Sequence, residues 1–292
     1  MVRRSPLRLI VIYTVLGLWG IVCLFPVYWL ASTSIKSIDD IDTGPRFLPF
    51  LDYRPTLRAW DFILFDSHEN LVTALFNSGL VAVVASGLAM LLGGIATYGL
   101  TRFSYSIPGF GGGNANRAIM WGMLATRVIP PVVLVIPVYM MARMTGTLDT
   151  PLALIVTYVA LNIPVAVWLL QPVLGSTASE QEEAAWLEGA SHRMIFFTIV
   201  APMAAEGIAA AWLLVLVLCW NEYLLATSLV TSGAMTLPVW LEGQMSIKEA
   251  QIGAEAEELA NFSAVATLMI MPLIAFAGVA QRVITRRSTW KA

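Results

Sequence analysis

Charge is the scarcest property of this sequence. Only 12% of its 292 residues are Asp, Glu, Lys or Arg, while 58% are hydrophobic. A water-soluble domain carries about 25% charge, so the composition excludes an ordinary soluble fold and assigns the chain to a bilayer. Cysteine and histidine are nearly missing, with two of each. Cys23 and Cys219 both lie in apolar runs, which excludes a disulfide framework and reads as two buried apolar fillers. His68 and His192 stand far apart, and no carboxylate or cysteine is spaced to complete a metal site. There is no G-x-S-x-G elbow and no Walker motif, so no nucleophile is marked and the chain does not hydrolyse ATP by itself. Gly109, Gly111, Gly112 and Gly113 lack a preceding strand and a following Gly-Lys-Ser/Thr. They read as a flexible connector rather than a phosphate cradle. No metal, cofactor or nucleic-acid partner is expected on this chain.

What the sequence has in abundance is long apolar runs. Six stand out, near 9–31, 71–99, 118–141, 151–172, 206–230 and 260–281. Each is close to the roughly 20 residues with which a helix crosses a bilayer. A helix is the only open-chain form that satisfies its own backbone in lipid. The expected fold is all-α, a polytopic membrane protein with six transmembrane helices in a single domain over 1–292. Membrane lipid is therefore a partner. With the N-terminus inside, ten Lys and Arg fall in cytoplasmic segments and six in outer ones, and the basic clusters at both ends strengthen that orientation. Arg3 and Arg4 before an apolar run imitate a secretory signal, but the run is too long and no A-x-A site follows, so a retained first span is expected.

The first outer loop, about 32–70, reads as an irregular surface segment. The last, about 231–259, carries Glu249, Glu255, Glu257 and Glu258 as a solvated face or a meeting surface for an extracytoplasmic partner. Pro130, Pro131 and Pro137 interrupt the third span, Pro164 the fourth and Pro272 the sixth, each freeing carbonyls and permitting kinks. Tyr28, Trp29 and Trp240 near span ends read as interface anchors.

Between the fourth and fifth spans, about 173–204, lies a polar segment that a membrane anchor does not require. Ser179-Glu180-Gln181-Glu182 fits the capping box S-x-x-E, with Glu182 reaching back to the cap. Gly189 suits the residue just past a helix end, and Ser191 suits the cap of a second short helix through Val200. Ala184 and Ala185 leave a shallow surface, Glu183 offers a carboxylate to a partner's Arg or Lys, and Trp186 and Leu187 offer apolar bulk. A hairpin lying on headgroups carries Lys and Arg on its polar face. This one carries Glu180, Glu182, Glu183 and Glu188 against Arg193, so it reads as a docking handle for a cytoplasmic protein.

The handle resembles the E-A-A-x3-G-x9-I-x-L-P motif of the permease subunits of bacterial ABC importers, matching at Glu183, Ala184, Ala185, Gly189, Ile199 and Pro202, with Ala201 in place of Leu. Asn77-Ser78, Arg127-Val128-Ile129-Pro130, Ile136-Pro137-Val138-Tyr139, Trp220-Asn221-Glu222 and Gln281-Arg282 look like the carbohydrate-importer branch typified by the second permease subunit of the maltose transporter. The tail departs, because T-R-R-S-T-W-K-A replaces the branch's G-L-T-x-G-A-V-K-G. The resemblance implies a type I ABC importer permease fold in the bacterial inner membrane, multi-pass with both termini cytoplasmic. It implies a second permease subunit, two ATPase subunits holding ATP and Mg, and an extracytoplasmic solute-binding protein that delivers a sugar or sugar-like solute. Glu183, Ala184, Ala185, Trp186, Gly189, Ile199 and Pro202 would couple to an ATPase subunit.

Arg127 and Glu222 fall inside predicted spans, where ionisable groups face a partner or a water-filled route. With Asn162 and Asn221 they are candidates for the translocation path, and structural pairing is the equal alternative. If Arg127 lines that path, an anionic sugar fits. A stand-alone secondary transporter or half-channel is the competing function. It predicts coupling carboxylates at mid-membrane, where only Glu222 qualifies, and gives the acidic handle no purpose.

Overall fold

The structure, a computed structural model, describes residues 6–66, 68–106, 115–177, 179–246 and 254–288. The glycine connector, Lys248 and Glu249 lie outside the described residues, as do the side chains of Ser179 and Glu255. The elements run α1 (Pro6–Thr33), α2 (Ile38–Asp42), α3 (Arg58–Asp61), α4 (His68–Arg102), α5 (Ala115–Ala125), α6 (Pro131–Met144), α7 (Pro151–Gly175) and α8 (Ser179–Leu187). They continue through α9 (His192–Ile195), α10 (Ala201–Met203), α11 (Ala205–Trp220), α12 (Leu224–Leu229), α13 (Leu237–Ser246) and α14 (Ala254–Ser288). Among the described residues the only β pairing is an isolated bridge between Pro49 and Tyr53.

Among the described residues four helices are long and apolar enough to cross a bilayer, in α1, α4, α7 and α14. Two further spans exist only if each of two bent pairs counts as one, α5 with α6 at 90° and α9–α10 with α11 at 84°. The predicted third span is thus broken where Arg127-Val128 form a 3₁₀ turn and Ile129-Pro130 go extended. Pro131 opens α6 at a position where its missing N–H costs nothing. The predicted fifth span ends at Trp220, and α12 is a separate short helix.

The chain divides into two compact units, residues 1–72 with 240–272, and residues 73–239 with 273–292. In the first, the best apolar stretch of α1 is wholly unburied by protein, and Cys23 is exposed. Cys23 is therefore not the buried filler the sequence suggested. Trp240 is buried at 3% exposure rather than serving as an interface anchor. The expected irregular loop after α1 is in fact built. Tyr53 shares a 2.7 Å hydrogen bond with Ser32, Asp52 accepts from the Phe47 and Leu48 amides, and Arg46 pairs with Asp40 at 2.6 Å. Buried Lys36 sits 4.1 Å over the Trp29 ring. Burial lowers its pKa, and Asp40 partly offsets that.

The second unit has its core on α7. Leu154, Tyr158, Asn162, Ala166, Leu170 and Leu174 recur every four residues and are all buried. A four-residue spacing advances about 40° per step round a 3.6-residue helix, so these side chains form a ridge that slants across the helix as it packs. Thr150 caps the helix by accepting from the Ala153 amide, and Pro151 takes the first position. α7 packs on α11, and α12 packs on α6. α4 approaches α7 so closely that a Cβ on Gly93 would lie 2.6 Å from that of Ala166. Thr97 satisfies itself on the Gly93 carbonyl one turn back.

Candidate functional site

The segment after α7 folds as the predicted helix–turn–helix. α8 starts at Ser179 and ends at Leu187. Gly189 then takes φ +89°, a left-handed conformation that costs a side-chain-bearing residue about 1 kcal/mol or more. Its amide donates to Trp186 O at 3.0 Å, and the Ala190 amide donates to Ala185 O at 3.0 Å, closing the helix end. Ser191 accepts from the Met194 amide at 3.3 Å and opens α9. That second helix is four residues long and passes into a wider π turn over Phe196–Val200 rather than continuing as α-helix. Ile195 and Phe196 are buried, and Phe196 packs on Tyr98 of α4 with ring centroids 5.2 Å apart. His192 meets Phe103 edge-on at 5.0 Å.

The anchor of this hairpin is a residue that the sequence did not mark. Glu182 turns toward the end of α4. It is buried and accepts from both Nε and Nη2 of Arg102, at 2.9 and 2.6 Å. Arg102 Nη2 also donates to the Leu174 carbonyl at 3.1 Å and Thr177 Oγ1 at 2.8 Å. One guanidinium therefore ties the end of α4 to the end of α7 and to α8. The planar fork of arginine suits that bidentate job where lysine does not. A basic residue ending a long apolar span was the available signal, and Glu182 lies 80 positions away from it.

With Glu182 turned inward, the rest of α8 faces out. Glu183 and Ala184 are exposed, Trp186 and Leu187 are 61% and 82% exposed, and Ala185 and Ile199 are partly covered. Pro202 lies exposed at the bend into α11. Two large apolar side chains beside a free carboxylate and an alanine pair form a surface suited to a protein partner.

Of the four path candidates, Arg127 and Asn162 are joined, while Glu222 and Asn221 are each held by other residues. Arg127, on the turn between α5 and α6, donates to Asn162 Oδ1 at 3.2 Å. Asn162 donates to Tyr158 O at 2.8 Å and to Cys219 Sγ at 3.4 Å. Glu222 accepts from Tyr158 Oη at 2.7 Å and from the Leu225 and Ala226 amides at 2.9 and 3.1 Å. Its carboxylate thus opens α12. Arg127 and Glu222 are held by residues one turn apart on α7 and not by each other. Asn221 is exposed and donates back to Val217 O at 2.9 Å.

Asp149 also escaped the sequence reading. From φ +58° its carboxylate accepts from the amides of Thr231, Gly233 and Ala234 and from the Thr231 hydroxyl. Burial pushes its pKa up, but these donors outweigh that and hold it well below the usual carboxylate range.

Residues 107–290 match the family described as "Binding-protein-dependent transport system inner membrane component". The chain belongs to this family. It is 31% identical to a probable ABC transporter permease protein of Sinorhizobium fredii, over 92% of this chain and 89% of that one. It is 29% identical to the trehalose transport system permease protein of Mycobacterium tuberculosis, over 89% and 88% of the two chains. It is also 30% identical to the sulfoquinovosyl glycerol transport system permease protein of Agrobacterium fabrum, over 75% and 73%. In fold it resembles a chain of a bacterial ABC transporter involved in import of the acidic polysaccharide alginate, at TM-score 0.71 and 22% identity over 97% and 98% of the chains. The protein is thus a non-catalytic permease subunit of an ABC importer, an inner-membrane component whose ATP is hydrolysed by separate subunits. Those ATPase subunits, a second permease subunit and a binding protein are its partners.

Proposed function

We propose that this permease imports a sugar or sugar derivative, and that the segment 173–204 transmits the ATPase stroke to its membrane helices. In this reading the chain acts as one permease domain with six spans, counting each bent pair as one, and both termini lie in the cytoplasm. Glu183, Ala184, Ala185 and Trp186 would seat in a cleft of one ATPase subunit, Gly189 would set the turn, and Ile199 and Pro202 would carry displacement into α11. No cofactor is needed on this chain. Arg127, Asn162, Asn221 and Glu222 would border the solute's route, and the hydrogen bond from Tyr158 would orient the Glu222 carboxylate. The relatives named for trehalose, diacetylchitobiose and sulfoquinovosyl glycerol support the substrate class.

The observation that carries this reading is the clamp of Arg102 on Glu182. A handle transmits motion only if it is stiffly joined to the helices it moves, and this one is bound to two of them through an ion pair whose carboxylate is buried and whose guanidinium is half-buried. The test is ATPase activity of the reconstituted complex with its binding protein across a panel of neutral and anionic sugars. One sugar should stimulate the wild type, and Glu183→Ala combined with Gly189→Pro should abolish stimulation. Transport by the purified chain alone, or normal coupling in the double variant, would instead favour a stand-alone transporter.

A further inference from the structure

The ends of α4, α5 and α7 surround an open cavity of about 1080 Å³. Its lining is graded. Arg117 stands near the start of α5, and Trp121 lies one turn deeper on the same face. On the facing helix, Gln171 lies near the end of α7, and Trp168 is about 4.5 Å deeper at 1.5 Å per residue. Both indoles are largely exposed, Trp121 at 60% and Trp168 at 55%. Polar groups therefore occupy the mouth and indoles the next layer down, which is the order of a membrane–water interface.

The cavity is also positive. Among the described residues no carboxylate lines it. Between Arg102 and Glu180 the only acidic residue in the sequence is Asp149, and that one is committed to the 231–234 amides. Arg102 spends its charge on Glu182. Arg117 is exposed and makes no ion pair among the described residues. The rim is fixed rather than loose, because Asn116 accepts from the Tyr105 amide and donates to Leu100 O.

We propose that this cavity binds the headgroup of an anionic phospholipid from the leaflet facing the ATPase subunits, with Arg117 on the phosphate and the two indoles along the glycerol and upper acyl chains. The leaflet follows from the orientation given above, so the inference rests on that reading. A free phosphate would use the same arginine, but it would leave both indoles and most of the volume unused. The wall that carries Arg102 is also the wall that holds α8, so an occupied cavity stiffens the root of the handle.

The test uses the assembled complex in nanodiscs containing brominated phosphatidylglycerol or brominated phosphatidylcholine. Quenching of Trp121 is isolated as the difference between the wild type and Trp121→Phe. Phosphatidylglycerol should reach half-quenching at about fivefold lower mole fraction than phosphatidylcholine, the ratio expected of one arginine at an anionic surface. Arg117→Gln should erase the preference and Arg117→Lys should keep it, with assembly of each variant checked by gel filtration. Excess inorganic phosphate should leave the preference intact. Equal quenching by both lipids overturns the proposal, as does loss of the preference on adding phosphate, which points to a free-anion site. Absence of Trp121 quenching by either lipid also overturns it and means that another subunit covers the cavity. The readout is lipid contact rather than ATPase activity, so a negative result here leaves the transport reading intact.

Discussion

Arg102 satisfies a buried carboxylate, a helix-end carbonyl and a hydroxyl with one side chain. Removing it strands the buried Glu182 carboxylate without its partner, at a cost of about 1–3 kcal/mol. Arg102→Ala should lower the thermal stability of the complex accordingly. Arg102→Met with Glu182→Leu should recover most of the loss, and a double-mutant cycle on unfolding measures that coupling. Asp149 supports a different prediction. Its folded pKa is depressed, so its contribution is complete above the unfolded value of about 3.9 and is lost as pH falls toward the folded value. Asn also tolerates the left-handed backbone at this position, so Asp149→Asn isolates the charge. At neutral pH the Gly233 and Ala234 amides should exchange about tenfold faster in that variant, the equivalent of one charged hydrogen bond. In the wild type that protection should fade only below about pH 4, and in the variant it should not respond to acid.

At the scale of elements, two glycines set geometry for different reasons. Gly189 has open space around the position of a Cβ but a left-handed φ, so Gly189→Ala strains the backbone by about 1–2 kcal/mol. Gly189→Asn should be milder. Limited proteolysis of the 187–192 turn ranks the two, and Ala should be cut faster. Gly93 has an ordinary helical backbone but no room, with Ala166 of α7 at 2.6 Å from an added Cβ. Gly93→Ala should push α4 from α7 and cost about 1–3 kcal/mol. Adding Ala166→Gly should restore part of the melting temperature. The apolar runs located α4 and α7, but the closeness of their approach depended on which residues met.

At the scale of the whole molecule, the apolar stretch of α1 is left uncovered by the rest of the chain, as suits a helix surrounded by lipid. The orientation rests on where the arginines and lysines fall. With Cys23 and Cys219 replaced by Ser, a cysteine at Glu188 should react only with a reagent supplied from the cytoplasm, and one at Thr43 only with a reagent supplied from outside. Labelling of both positions from one side would remove the proposed topology, and with it the cytoplasmic place of the handle. The two units of the chain follow contacts rather than sequence order, since each combines an early segment with a late one. No composition boundary in the sequence announced that division.

The sequence by itself determined that the chain is a helical membrane protein, where most of its spans lie, and that residues 179–191 form a capped helix and turn. Those features depend on composition and on neighbours within about four positions, such as the Ser191 hydroxyl on the Met194 amide and the left-handed Gly189. Only the tertiary structure decided what Arg102, Asp149 and Glu222 do, because their partners lie 80, 82 and 64 positions away. It also decided that α5 and α6 meet at 90° instead of forming one straight span. A proline pair permits such a bend, but packing fixes its angle. Buried polar groups must find partners wherever the fold places them, so the clamp beneath the handle became visible only once α4, α7 and α8 were brought together.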